Sequence, residues 1–198
     1  MSDQGSTGSD AANEAGSEVA GIAALDQLPD AEAAAALRAC CGAPAWISAM
    51  MSQRPFGSTA WLYAAADDIW RGLDPSDWRS AFDHHPRLGE RTSAVTQDLR
   101  ARNWSGGEQA GLHDADDALR MALAEANAAY ERRFGYICII CASGRSAPEL
   151  LSITRKRIAN APEDELPVAA EEQRKITRLR LAKLVHDLSH SASSMNRP

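Results

Sequence analysis

The apolar positions of this chain recur mainly at helical spacing. In "RPFGSTAWLYAAADDIWRG", Leu62, Ala65, Ala66 and Ile69 fall at i, i+3, i+4 and i+7, with Ser58 placed to cap the start. Upstream, "DAEAAAALRACCG" predicts a helix capped by Asp30 and ended by Gly42. Pro44 suits the first turn of the next helix, which carries Trp46, Ala49 and Met50 on one side. Asp74-Pro75 opens another, with Trp78 and Phe82, that runs into His84; Pro86 disfavours helical geometry at His85, so the helix breaks there. "SGGEQAGL" opens a further helix. From Asp114 to Phe134 the pattern is a long amphipathic helix, with Leu119, Ala122, Leu123, Ala126, Ala129, Tyr130 and Arg133 on one side and Gly135 closing it. Ser146 and Glu149 have capping-box spacing for a helix through Asn160, and the last helix runs from near Asp164, with Pro167 in its first turn, to about Leu188. "YICIICASG" alone is β-like; with no partner strand it is either a buried extended segment or part of a helix. The expected fold is all-α: a single compact domain of about eight helices over residues 21–190.

Composition trims this picture at both ends. Residues 1–20 are rich in Ser, Gly, Ala and acids and read as a disordered extension, and residues 191–198 as a flexible tail. The first residues lack the basic and apolar regions of a secretory signal, and "SMNRP" is not the peroxisomal tripeptide. A net charge of −6 argues against nucleic acid or an anionic membrane as partner, and no apolar run approaches the ~20 residues of a membrane span. The four cysteines are too sparse for a disulfide scaffold. "CIIC" has C-x-x-C spacing but no second pair, so Cys138 and Cys141 read as buried thiols, in keeping with a reducing cytoplasm.

Three stretches could carry chemistry. In "FDHHPRLGE", adjacent helical residues point about 100° apart, so His84 and His85 cannot face one metal together, and no H-x-x-x-H spacing surrounds them. A histidine held before proline suits a general acid or hydrogen-bond donor; the alternative is a solvent-exposed turn. In "SGGEQ", Ser105 and Glu108 have capping-box spacing, and Gln109 adds a carboxamide; a helix start also suits an anion, or the motif is a plain cap. In "KITRLRLAKL", Arg180 lies between Ile176 and Leu184, inside the apolar face. A guanidinium there is costly unless paired, so it meets either an internal carboxylate or an anionic substrate.

Taken in order, "WISAMMSQRPF", "HPRLGE", "SGGEQAGL", "NAAYERRFGYICIICASGRS", "RKRIANAPEDEL" and "KITRLRL" resemble the 2-oxo-4-hydroxy-4-carboxy-5-ureidoimidazoline (OHCU) decarboxylase family of urate degradation. The resemblance covers roughly residues 25 to 185. It implies an all-helical, usually dimeric protein without metal or organic cofactor, converting OHCU to (S)-allantoin. It also implies that His85, not His84, is catalytic, with Glu108 beside it. By the same resemblance, Pro86, Ser105, Gln109, Arg180 and the segment Ile137, Cys138, Ile139, Ile140 and Cys141 bind substrate, and Arg87 and Glu90 have no assigned role. Against this stand a non-catalytic helical module that binds an anionic small molecule or partner protein, and a histidine-metal hydrolase.

Overall fold

The computed structural model describes residues 7–87, 104, 107–108 and 115–195, with side chains described between 15 and 191. Among these residues there is no strand, and eight helices have described bounds: α1 (Thr7–Gln27), α2 (Asp30–Cys40), α3 (Pro44–Met51), α4 (Thr59–Arg71), α5 (Pro75–Phe82), α6 (Asp117–Phe134), α7 (Ala147–Ile158) and α8 (Pro162–Met195); residues 104, 107 and 108 are helical as well.

Local sequence signals set most boundaries. The Ser58 hydroxyl accepts from the Trp61 N–H at 3.1 Å and starts α4. Glu149 reaches back to the Ser146 N–H at 2.7 Å, completing the capping box of α7. α6 stops at Gly135, whose φ of 76° is left-handed. Other starts differ from the expectation. Asp30 lies inside the first turn of α2, after Pro29, and makes no cap. α6 begins at Asp117 because the Asp116 carboxylate accepts from the Leu119 N–H at 2.8 Å. α8 begins at Pro162, so Pro167 lies beyond its first turn, and it runs on to Met195.

The composition boundaries at residues 20 and 190 both fall inside helices. Residues 1–6 lie outside the described residues, but the second half of α1 packs along α8. Ile22 and Leu25 are buried, Ser17 and Ser189 hydroxyls lie 2.7 Å apart, and Thr59 donates to Glu18 at 3.1 Å. Alanine-rich sequence forms helix at low entropic cost, and a long neighbouring helix supplies the surface that composition alone does not reveal.

α8 is the axis of the domain: α1, α2, α4 and α5 all pack against it. Leu181 and Leu184 on α8 are fully buried with Leu37 of α2 and Leu62 of α4, each contributing about 1.5–3 kcal/mol by leaving water. Tryptophans tie the layers while satisfying their own N–H groups. Trp46 of α3 donates to the Ala66 carbonyl at 3.2 Å, and Trp70 of α4 to the Ala170 carbonyl at 3.0 Å. No described helix is long and apolar enough to cross a membrane.

Two breaks in this helical framework face each other. α5 ends at Phe82, and the His85 N–H closes the turn on the Phe82 carbonyl at 3.0 Å. After α6, residues 137–142 run without helix or strand; "YICIICASG" is therefore the extended segment rather than helix. Phe82 and Tyr136 join the breaks, their ring centroids 5.4 Å apart.

Candidate active site

A cleft of about 440 Å³ of atom-free space, part of it open to solvent, lies where α5, α8 and the 137–142 segment converge. His85 and Pro86 enter from the end of α5, Cys138 to Cys141 from the extended segment, and Arg180 from α8, with Glu108 beside it. The structure thus gathers most of the residues singled out in sequence. Ile137 is half-buried and lies just outside the lining. Ser105 and Gln109 fall outside the described residues, as does Glu90.

Arg180 does meet an internal carboxylate. Its Nε donates to Glu108 Oε1 at 3.1 Å and its Nη2 to Oε2 at 2.9 Å, a two-pronged pair with both side chains nearly sealed from water. Nη1 reaches the Ala39 carbonyl at the end of α2, at 3.4 Å. Lys183, one turn further along α8, donates to Glu108 Oε1 at 3.3 Å. An ionised carboxylate has about four acceptor positions, and these three bonds leave Glu108 room for a ligand N–H or O–H. The pair also lines the cleft, so the two readings of Arg180 are not exclusive.

His84 and His85 part ways as the helical geometry requires. His84 Nδ1 lies 2.9 Å from the Ser80 carbonyl, back along α5. His85 faces the cleft. Burial, the Arg180 guanidinium and the neighbouring His84 together hold the His85 imidazole well below its usual range, while Gln173 pulls the other way. The ring is therefore neutral in the ligand-free protein at neutral pH. As pH falls below about 6.5, the unfolded chain gains a proton here that the folded chain still refuses, so acidification costs stability through that window. Melting temperature against pH should fall more steeply for the wild type than for His85→Asn; parallel curves would mean that His85 titrates normally.

Gly42 leaves the room that His84, the neighbour of His85, occupies. A Cβ on Gly42 would sit 2.2 Å from His84 Cγ and 2.6 Å from its Cβ, atoms too close to the backbone to swing away. Gly42→Ala should cost about 1–3 kcal/mol by overpacking and lower kcat by shifting His85. Thermal melts and steady-state rates check this; an unchanged rate would show that the shift stops at His84.

The extended segment has no strand partner, so side chains hold it. Arg157 Nη1 donates to the Ile139 carbonyl at 2.6 Å, and the Cys141 N–H donates to Glu172 at 2.8 Å. Behind Ile139, Arg157 Nε donates to the fully buried Glu165 at 2.8 Å, the Tyr130 hydroxyl donates to the same oxygen at 2.5 Å, and Asn160 donates to its other oxygen at 2.6 Å. Burial and the Glu165 carboxylate push the Tyr130 phenol up, so it remains a donor. This network fixes backbone that no sheet supports. On the other break, Arg87 forms a two-pronged pair with Glu131 of α6, both bonds 2.9 Å, anchoring the chain just after Pro86.

Burial pushes the Cys41 and Cys138 thiols each up to about 11 and raises that of Cys141 as well. Thiols so protonated are poor nucleophiles; Cys138 is buried as expected, whereas Cys141 is only partly buried, at the wall of the cleft. Among the described residues, no cluster of three or more His, Cys, Asp or Glu side chains could hold a metal ion. Sequence reasoning missed Lys183, Glu172 and Gln173, and the lining by Ser143, Ile176 and Leu179. Lys183 and Ile176 could have been found, because they lie three and four residues from Arg180 on one helix.

Comparison with known proteins meets this geometry. Residues 26–182 match the family model described as OHCU decarboxylase. The chain is 38% identical over 151 residues to the uric acid degradation bifunctional protein TTL of Arabidopsis thaliana, covering 76% of this chain and 46% of that protein; it thus spans about half the length of that relative. It is 33% identical over 147 residues to the 2-oxo-4-hydroxy-4-carboxy-5-ureidoimidazoline decarboxylase of Amia calva, covering 72% of this chain and 81% of the other. A crystal structure of OHCU decarboxylase in the presence of (S)-allantoin superposes with a TM-score of 0.64 at 34% identity, covering 75% of this chain and 95% of that one.

Proposed function

Because the chain belongs to the OHCU decarboxylase family, we propose that it decarboxylates OHCU to (S)-allantoin in the cleft between His85 and Arg180. The observation that carries this reading is the meeting of His85, Glu108 and Arg180 with the Cys138–Cys141 segment in one partly closed cleft. Such a site offers an anionic substrate a cation, a titratable ring and a carboxylate acceptor.

The reaction needs no metal or organic cofactor. When the C4–carboxylate bond breaks and CO₂ leaves, its electron pair forms a C4=C5 double bond and the pair of the adjacent ring C=N moves onto nitrogen, which takes a proton. The C4 hydroxyl then gives up its proton as C4 becomes a carbonyl, and the ureido-bearing C5 takes a proton on one face, which sets the stereocentre. The chain's task is to hold the carboxylate, to meet charge as it develops on the ring, and to choose the face. Water exclusion strengthens each of these interactions.

His85 donates a hydrogen bond or proton at the reacting carboxylate and ring. Its ring is held neutral in the free protein, so an arriving carboxylate supplies the negative charge that brings the proton back. Arg180 contributes fixed positive charge beside it, with Lys183 behind Glu108. Glu108 uses its remaining acceptor position for the ureido or hydroxyl group. Ser105 and Gln109 complete the grip on the ring in this reading, together with Pro86 and the 137–141 backbone. The family resemblance also supports a homodimer, which light scattering of the purified protein tests, and a cytoplasmic setting.

The test is turnover of OHCU made fresh from urate with the two preceding enzymes. CO₂ release and product circular dichroism should both exceed the spontaneous reaction, which gives racemic allantoin. Saturable binding of substrate with no gain in either signal would favour a non-catalytic binding module.

A further inference from the structure

Gln173 is the one fully buried polar side chain of α8 that none of the preceding chemistry uses. Its Nε2 donates to the Thr177 hydroxyl, one turn along the helix, at 3.2 Å. That bond fixes the plane of the amide and turns Oε1 the other way. Oε1 is buried and has no hydrogen-bond partner among the described residues, an unfavourable arrangement that calls for an explanation. The His85 ring lies close enough to Gln173 for a side-chain hydrogen bond, one that favours the protonated form of the ring. The other charged or titratable groups acting on that ring, Arg180 from α8 and His84 from α5, both oppose its protonation.

We propose that Gln173 is a positioning residue for His85: its Oε1 waits for a ring N–H, fixing which nitrogen carries hydrogen and leaving the other to face the cleft. The proposal rests on the decarboxylase reading for its link to rate, but not for the contact itself. Thr177 holds the amide, the amide holds the ring, and α8 supplies both residues one helical turn apart. The looseness of this contact in the free protein has a consequence. The N–H···O bond tightens when the ring becomes charged, so the contact that orients the neutral ring strengthens further in the ligand-bound state. Gln173 thus offsets part of the effect of Arg180, which binds the substrate anion but disfavours the imidazolium.

Two variants and two readouts test this. Gln173→Met keeps the length and removes the acceptor; Thr177→Val keeps the shape and releases the amide. With ring-nitrogen-labelled histidine, NMR should show one dominant neutral tautomer for His85 in the wild type, and a mixture together with a further lowered titration midpoint in Gln173→Met. Thr177→Val should show the same changes to a smaller degree, and serves if Gln173→Met does not fold. With fresh OHCU, kcat of Gln173→Met should fall on the order of tenfold to a hundredfold with KM little changed, as expected when one reacting group loses its aim. Unchanged His85 nitrogen shifts in a folded variant overturn the proposal, and so does a raised midpoint, which would make the amide a donor to the ring. A wild type inert toward OHCU overturns the decarboxylase reading instead, while the NMR outcome still decides whether Gln173 orients His85.

Discussion

His85→Asn should lose about 10²–10⁴ of kcat if the ring acts as general acid, while His84→Asn stays within a few-fold of the wild type. The geometry separates the two. His84 is tied back to the Ser80 carbonyl, whereas His85 lines the cleft and precedes a proline that fixes the following backbone. Asparagine retains a donor and an acceptor but cannot carry a titrating proton. The small amount of allantoin formed by His85→Asn should drift toward the racemate, because spontaneous protonation takes either face. A rise in KM with (S)-product retained would instead make His85 an orienter of the carboxylate. Rates and product circular dichroism distinguish these outcomes, and full activity in His85→Asn would remove His85 from the mechanism.

Arg180→Leu should destabilise the fold by about 3–5 kcal/mol as well as abolish turnover, because it leaves the Glu108 carboxylate buried with only Lys183 beside it. Glu108→Leu combined with Arg180→Leu should recover most of that stability, since two apolar side chains of suitable volume replace a desolvated pair. Activity should stay absent in both. Urea unfolding of the two single variants and the double variant gives the coupling directly. An Arg180→Leu protein as stable as the wild type would show that the pair contributes nothing and that Arg180 serves the ligand alone.

What could be read from the sequence follows from how far apart the interacting residues lie. Ser58, Gly135 and the Ser146–Glu149 box announced helix ends because a cap is decided within four residues. His85 and the 137–142 segment were legible as interruptions of a helical pattern. Arg180 was legible as a misfit on an apolar face. Its partner was not, because Glu108 is 72 residues away in the chain and carries a local signal, the capping-box spacing with Ser105, that explains it without any long-range contact. Gln173 and Glu172 gave no signal at all. Their importance lies in what faces them across the fold, an imidazole in one case and a backbone N–H in the other. The alanine-rich first helix gives no local sign of where it begins to pack, because its partner surface lies on α8, far along the chain.

α8 carries Glu165, which supports the extended segment, and Glu172, Gln173, Arg180 and Lys183, which reach the cleft or its walls, on one uninterrupted helix. At 1.5 Å per residue the distance from Glu165 to Arg180 is about 22 Å, and the helix acts as a ruler along it. Inserting or deleting one residue within that stretch turns everything beyond it by about 100°, so the Arg157–Glu165 network and the Glu108–Arg180 pair could not both form. Adding four residues nearly restores the angle but shifts the far end by about 6 Å, more than a cleft of this size can absorb. The spacing between Glu165 and Lys183 is therefore part of the site itself, as much as any side chain that the helix carries.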